Sequence, residues 1–176
     1  MKQRAGKLRQ RIKEINESFD KSHYLELKHR SIESLYKMLR YKSIKYKEEI
    51  NLAQAQLIKS EGFKEKYSPG ELVACTIAGR SSKSYCFGTS HKVLHNPVRE
   101  IASLLSQLGK IGKTSNLTGS KNIIGKCAEV KSANGLFSAN RNLTVNEIEF
   151  TPAIRPRTLE KIPRCPNCTQ IFGKEL

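Results

Sequence analysis

The sequence predicts an α/β protein: a small mixed sheet flanked by helices, preceded by a basic α-helical segment. Three observations carry that expectation. Residues 1–66 contain no proline and repeat apolar residues at three- and four-residue steps. Pro69-Gly70 then marks a boundary, after which short apolar runs sit between Gly- and Ser-rich stretches. Those runs alternate with amphipathic helical stretches, the pattern of helices laid on a sheet.

The N-terminal segment, residues 1–66, is bracketed by Gly6 and Gly62. Leu8, Ile12, Ile15 and Phe19 begin its apolar stripe, and Ile32, Leu35, Leu39, Ile50 and Leu57 continue it with interruptions. Ser18, Asp20 and Ser22 predict a break into two helices, with Ser22 or Ser31 as a cap. Lys and Arg fill most other positions, and His23 and His29 are expected to be solvated. Two readings stay open: a helical linker or hairpin packed weakly on the main domain, or a basic arm that grips nucleic acid or a partner.

A second domain is expected over residues 70–176. Leu72 to Ala78 reads as a buried strand, Gly79-Arg-Ser-Ser-Lys83 as a turn and Ser84 to Phe87 as its hairpin partner, closed by Gly88. Pro97 starts a helix whose stripe is Val98, Ile101, Leu104, Leu105 and Leu108, and Gly109 and Gly112 end it. A Lys-rich loop covers residues 110–121, a second helix about 126–138 and a third strand about 146–151, where Ile148 and Phe150 alternate with glutamates. Cys165 opens a short last helix that stops at Gly173.

The formal charge of the 176 residues is +16, which attracts polyanions, nucleic acid foremost among them. The hydrophobic fraction of 38% is low for a fully packed domain, in keeping with a polar N-terminal third. No apolar run is long enough to span a membrane, and the basic N-terminus lacks the apolar centre of a secretory signal. Five cysteines, an odd count that includes a Cys-x-x-Cys pair, argue for metal or redox chemistry in a reducing compartment rather than a disulfide framework.

Two segments carry the chemistry: Gly125-Lys-Cys-Ala-Glu-Val-Lys131 and Pro163-Arg-Cys-Pro-Asn-Cys168. Together they supply three thiolates and one carboxylate. A catalytic zinc site takes three protein ligands and leaves a fourth position for water, so Cys127, Cys165 and Cys168 suffice to hold Zn2+. Zinc lowers the pKa of bound water, and Glu129, two residues past Cys127, can sit beside that water as the proton-transfer group. Both cysteine segments open helices, whose N-termini favour thiolate. A closed structural site, with a fourth ligand from Cys75, Cys86, His91 or His95, is the alternative, as is a redox pair. Cys75 and Cys86 are otherwise expected in the core. Thr89, Ser90 and Asn96 are expected near a pocket, with Lys110, Lys113, Lys121 and Lys126, or Arg155, Arg157 and Arg164, as candidate phosphate contacts.

Cys127-Ala-Glu129 followed by Cys165-x-x-Cys168 resembles the cytidine-deaminase-like superfamily, whose pattern is His-x-Glu or Cys-x-Glu and then Pro-Cys-x-x-Cys. The fuller text, KCAEVKSANGLF and then RCPNC, is similar to the YwqJ-like deaminases, toxin domains of bacterial polymorphic toxins. The likeness covers residues 71–173. It implies a zinc-dependent nucleobase deaminase acting on cytosine or adenine in nucleic acid or nucleotides, with Cys127, Cys165 and Cys168 as ligands and Glu129 as proton shuttle. It further implies an effector delivered to a target-cell cytoplasm and held in check by an immunity protein; without delivery the protein is expected to be cytoplasmic. Arg164 replaces the usual proline before Cys165. Only eight residues follow Cys168, so the implied sheet is reduced at its C-terminus. A non-catalytic zinc-stabilised nucleic-acid-binding or adaptor module is the competing expectation.

Overall fold

The computed structural model describes residues 2–61 and 67–175. The expected helix end near residue 66 and the Gly62 bracket lie outside the described residues, as does the side chain of Leu57. Among the described residues, five helices surround a six-stranded sheet. The chain runs α1 (Lys2–Lys21), β1 (Leu25–Glu26), α2 (Ile32–Glu61), β2 (Thr76–Arg80), β3 (Tyr85–Thr89), α3 (Arg99–Ser106), α4 (Ala128–Ala139), β4 (Glu149–Phe150), β5 (Ala153–Ile154), β6 (Lys161–Ile162) and α5 (Pro166–Phe172).

The break in the N-terminal helix falls where Ser18, Asp20 and Ser22 predict it, and Ser31 caps α2 by accepting from the Ser34 N–H at 3.1 Å. The interrupted stripe of α2 has a physical reason, because its two halves pack on different partners. Tyr46, Ile50 and Ala53 meet Leu8, Ile12, Ile15 and Phe19 of α1, whereas Leu35 and Leu39 are fully buried on Ala78, Tyr85, Phe87 and Ile154 of the sheet. The linker between the helices adds β1, which pairs with β3 at Leu25–Cys86 and Glu26–Tyr85. The helical segment is thus sealed to the sheet rather than weakly packed. His23, expected in solvent, reaches the Thr76 hydroxyl (2.8 Å) and the Phe19 carbonyl (2.7 Å).

The expected hairpin is β2–β3, with Ser81 N–H donating to the Ser84 carbonyl across the turn. The strands lie a few residues later than the apolar run suggests, and Gly88 sits inside β3, opposite Ile77. Every strand pairing among the described residues is antiparallel, where a mixed sheet was expected. The reason is that β4 and β5 return along the free edge of β2 in the opposite direction. Gly79 faces Phe150 but Thr76 faces Ile154, so one extra residue is taken up at Thr151-Pro152. Pro152 has no N–H to donate; beside it the Thr151 N–H donates to the Ala78 carbonyl at 2.9 Å and the Thr151 hydroxyl accepts from the Ala78 N–H at 3.1 Å.

On the face opposite α2, helix α4 lies almost on the backbone of the hairpin. A Cβ on Gly88 would collide with the Ala128 carbonyl, one on Gly79 with the Ser132 hydroxyl, and one on Gly135 with the Cys86 sulfur. Ser132 donates to the Cys86 carbonyl at 2.7 Å. This close seat fixes the first turn of α4, and with it Cys127 and Glu129. Helix α3 buries Ile101 and Leu105 against the outer side of α4, and Val98 N–H donates to Asn134 at 2.8 Å.

Candidate metal centre

Cys127 and Cys165 are the N-caps of α4 and α5, and Cys168 lies in the first turn of α5. The N-termini of the two helices meet, so three sulfurs distant in sequence converge: all lie within 4.8 Å of one another, with Cys127 and Cys165 at 3.4 Å. Zn–S bonds of about 2.3 Å in a tetrahedron place sulfurs roughly 3.8 Å apart. The three cysteines therefore could hold a metal ion, and their spacing suits zinc.

The three thiols perturb one another's protonation. The Cys165 thiol is held well below the usual thiol range, first by the Cys127 thiol that donates to it and then by Cys168, whose backbone N–H also points at its sulfur (3.5 Å). Cys127 and Cys168 are pushed up because each serves as a donor in the same cluster. Within the cluster Cys165 favours the thiolate, whereas Cys127 and Cys168 favour the thiol. A divalent ion would remove that preference.

Glu129 is 4% exposed, and its Oε2 lies 3.6 Å from Cys168 Sγ. Burial raises its carboxyl above the ordinary carboxylate range. The first turn of α4 thus puts the carboxylate next to the sulfur cluster, at the wall of a cavity of about 560 Å³ that Cys127 and Cys165 also line.

The structure places the other candidates as follows. Ser90, His91, Lys121, Lys126 and Arg155 line the cavity, whereas Thr89 is tied to Asp20 at 2.6 Å. Lys110, Lys113, Asn96 and Arg157 are not part of its wall. Arg164 donates to the Gly173 carbonyl at 2.7 Å and covers the Phe150 ring, which is a packing role. Cys86 is buried beside Gly135, and His95 is exposed away from the sulfurs.

Two parts of the wall, and one clamp behind it, escape sequence reasoning. Cys75, expected in the core, precedes β2 and lines the cavity, its thiol pushed up by burial and by the nearby charge of Glu129. Asn16 of α1 and Glu71 of the Pro69–Glu71 turn form another side, joined by a 2.7 Å hydrogen bond from the Asn16 amide to the Glu71 carbonyl. Asn167, buried in α5, donates to the Asn122 carbonyl at 3.1 Å and meets the Thr118 hydroxyl, which clamps the Lys-rich loop beside Cys165. A buried asparagine inside Cys-x-x-Cys was the one signal available for that clamp.

No protein-family model matches the chain, and no curated protein or solved structure is significantly similar to it. Among the described residues no helix is long and apolar enough to cross a membrane.

Proposed function

We propose that this protein is a zinc-dependent nucleobase deaminase of the cytidine-deaminase-like type that acts on cytosine or adenine in nucleic acid or nucleotides. The observation that carries the reading is the buried Glu129 carboxylate, adjacent to three converging thiols at the wall of an open cavity. The resemblance of Cys127-Ala-Glu129 and Cys165-x-x-Cys168 to the superfamily pattern supports it. In this reading Cys127, Cys165 and Cys168 hold the metal.

Zinc, when bound there, supplies a Lewis acid that eases the loss of a proton from water. Glu129 accepts that proton as the water oxygen bonds to the amidine carbon of the base. It gives that proton to the ring nitrogen, then takes the proton of the added hydroxyl and passes it to the amine, so that the C–N bond breaks, ammonia leaves and the carbon becomes a carbonyl. Lys121, Lys126 and Arg155 line the cavity as cations suited to phosphate. The family likeness extends the proposal to a toxin-type effector delivered into a target-cell cytoplasm, with an immunity protein as partner.

The test is ammonia release and base conversion on nucleosides, nucleotides and single-stranded oligonucleotides by the zinc-loaded protein, beside Glu129→Ala. Turnover lost in the variant with one zinc retained is the expected result; equal turnover in both removes Glu129 from the mechanism. A second reading, a closed four-thiolate zinc site in a non-catalytic nucleic-acid-binding module, draws on Cys75 in the same cavity wall. Cys75→Ser separates the two: zinc and turnover persist under the first, and zinc is lost under the second.

A further inference from the structure

A groove of about 570 Å³ lies between the end of α1, the turn after it and the middle of α2, and shares no wall residue with the cavity at Glu129. Its floor is Phe19, Met38 and the buried Tyr46. Its rim carries Tyr24 and Tyr41, which stay 45% and 62% exposed although burial of an aromatic ring is favourable. Lys37, Tyr41 and Lys45 follow at four-residue steps on one stripe of α2, each step rising about 6 Å along the axis. The Lys45 ammonium lies 5.3 Å from the Tyr41 ring, and that of Lys42 lies 5.2 Å from the Tyr24 ring. Lys37 and Lys45 are exposed in this wall beside one carboxylate, Glu49, whereas Lys42 donates to the Ser22 carbonyl at 2.7 Å.

We infer that this groove binds single-stranded nucleic acid. Two exposed rings, each with an ammonium over one face and the other face left for a base, match a strand whose bases lie beside phosphates. The step along α2 is close to the span of one extended nucleotide. Bases stack on aromatic rings without regard to sequence, and lysines track the backbone. Duplex DNA offers phosphates but keeps its base faces stacked, so the tyrosines give the groove its preference for single strands. An acidic protein would use the lysines and leave the rings unused. The site shares a ligand class with the proposed deaminase but none of its residues.

The experiment is fluorescence anisotropy of the full chain with a labelled single-stranded oligothymidylate, competed by duplex DNA, heparin and polyglutamate. Tyr41→Ala should weaken oligonucleotide binding about tenfold or more while leaving heparin binding unchanged, and Tyr41→Phe should restore it. A joint Lys37→Glu and Lys45→Glu variant should weaken both ligands and flatten the salt dependence. Equal oligonucleotide affinity in Tyr41→Ala and wild type overturns the inference, as does polyglutamate competing as strongly as the oligonucleotide. Tyr41 is exposed, so its variants keep the fold, and circular dichroism checks this.

Discussion

The sulfurs of Cys127 and Cys165 lie 3.4 Å apart across 38 positions of sequence, each at the N-cap of a different helix. Two helix N-termini aimed at one point concentrate partial positive charge, which favours negative charge on a sulfur there. If these sulfurs and Cys168 share one metal ion, its removal must loosen α4 and α5 together. One zinc per chain is expected by elemental analysis, with none in Cys165→Ala. Chelation should lower the melting temperature by about 10 °C: ligand at a thousandfold excess over its Kd contributes about 4 kcal/mol, at roughly 2–4 °C per kcal/mol for a chain of this size.

Glu129→Gln keeps shape and removes charge. Deamination should fall by a factor of about 10²–10⁴ or more, measured as ammonia release. Zinc content should not change. Because burial disfavours the carboxylate, the variant should melt at or above the wild-type temperature. A lower melting temperature would mark Glu129 as a structural group.

Gly88 is where α4 meets the sheet. Gly88→Ala sets a methyl group against the Ala128 carbonyl and the Ser132 backbone N, neither of which can step aside as a side chain would. A loss of about 3 kcal/mol is expected, read by urea denaturation, together with weaker zinc binding because Cys127 shifts with its helix. Gly6→Ala is the control: nothing stands within 4 Å of the added carbon, and a helical alanine should stabilise by up to about 1 kcal/mol.

Leu39→Ala tests how firmly the N-terminal helices belong to the sheet. Leu39 is 0% exposed among Ala78, Phe87 and Ile154. A cost of about 3 kcal/mol is expected, as one cooperative transition that also weakens the metal site. Two separate transitions, with the metal-linked one unmoved, would mean that α1 and α2 fold as an independent unit.

His23 sets an acid limit on stability. Burial lowers its pKa from 6.5 to about 4 in the fold. The unfolded chain therefore binds the proton first as pH falls. The stabilisation is fully present above pH 6.5 and is lost as pH drops towards about 4. The slope of stability against pH across that interval should flatten in His23→Gln, with at most about 3–4 kcal/mol at stake.

The α3, α4 and α5 segments, the β2–β3 hairpin and the break before α2 were legible because each is signalled locally. Proline and glycine stops, helical periodicity and a polar cap lie within a few residues of the element they define. That Cys127, Cys165 and Cys168 could share a metal ion was legible for a different reason: two cysteine segments, each opening a helix, supply three thiols of the kind a metal takes. Strands β1, β5 and β6 were not legible, since two residues carry no periodicity and each strand exists only through its neighbour. Cys75 misled for a related reason, because an apolar run does not say where along it the strand begins.

By itself, then, the sequence determined which segments are helical and which side chains have the chemistry to bind a metal and move a proton. Only the tertiary structure decided that His23 leaves solvent for Thr76, that Gly88 admits α4 to the sheet, and that Asn16 of the first helix walls the cavity at Glu129. The physical reason is range. Propensity and capping act between residues a turn apart, whereas burial and close approach depend on which distant surfaces the packed chain brings into contact.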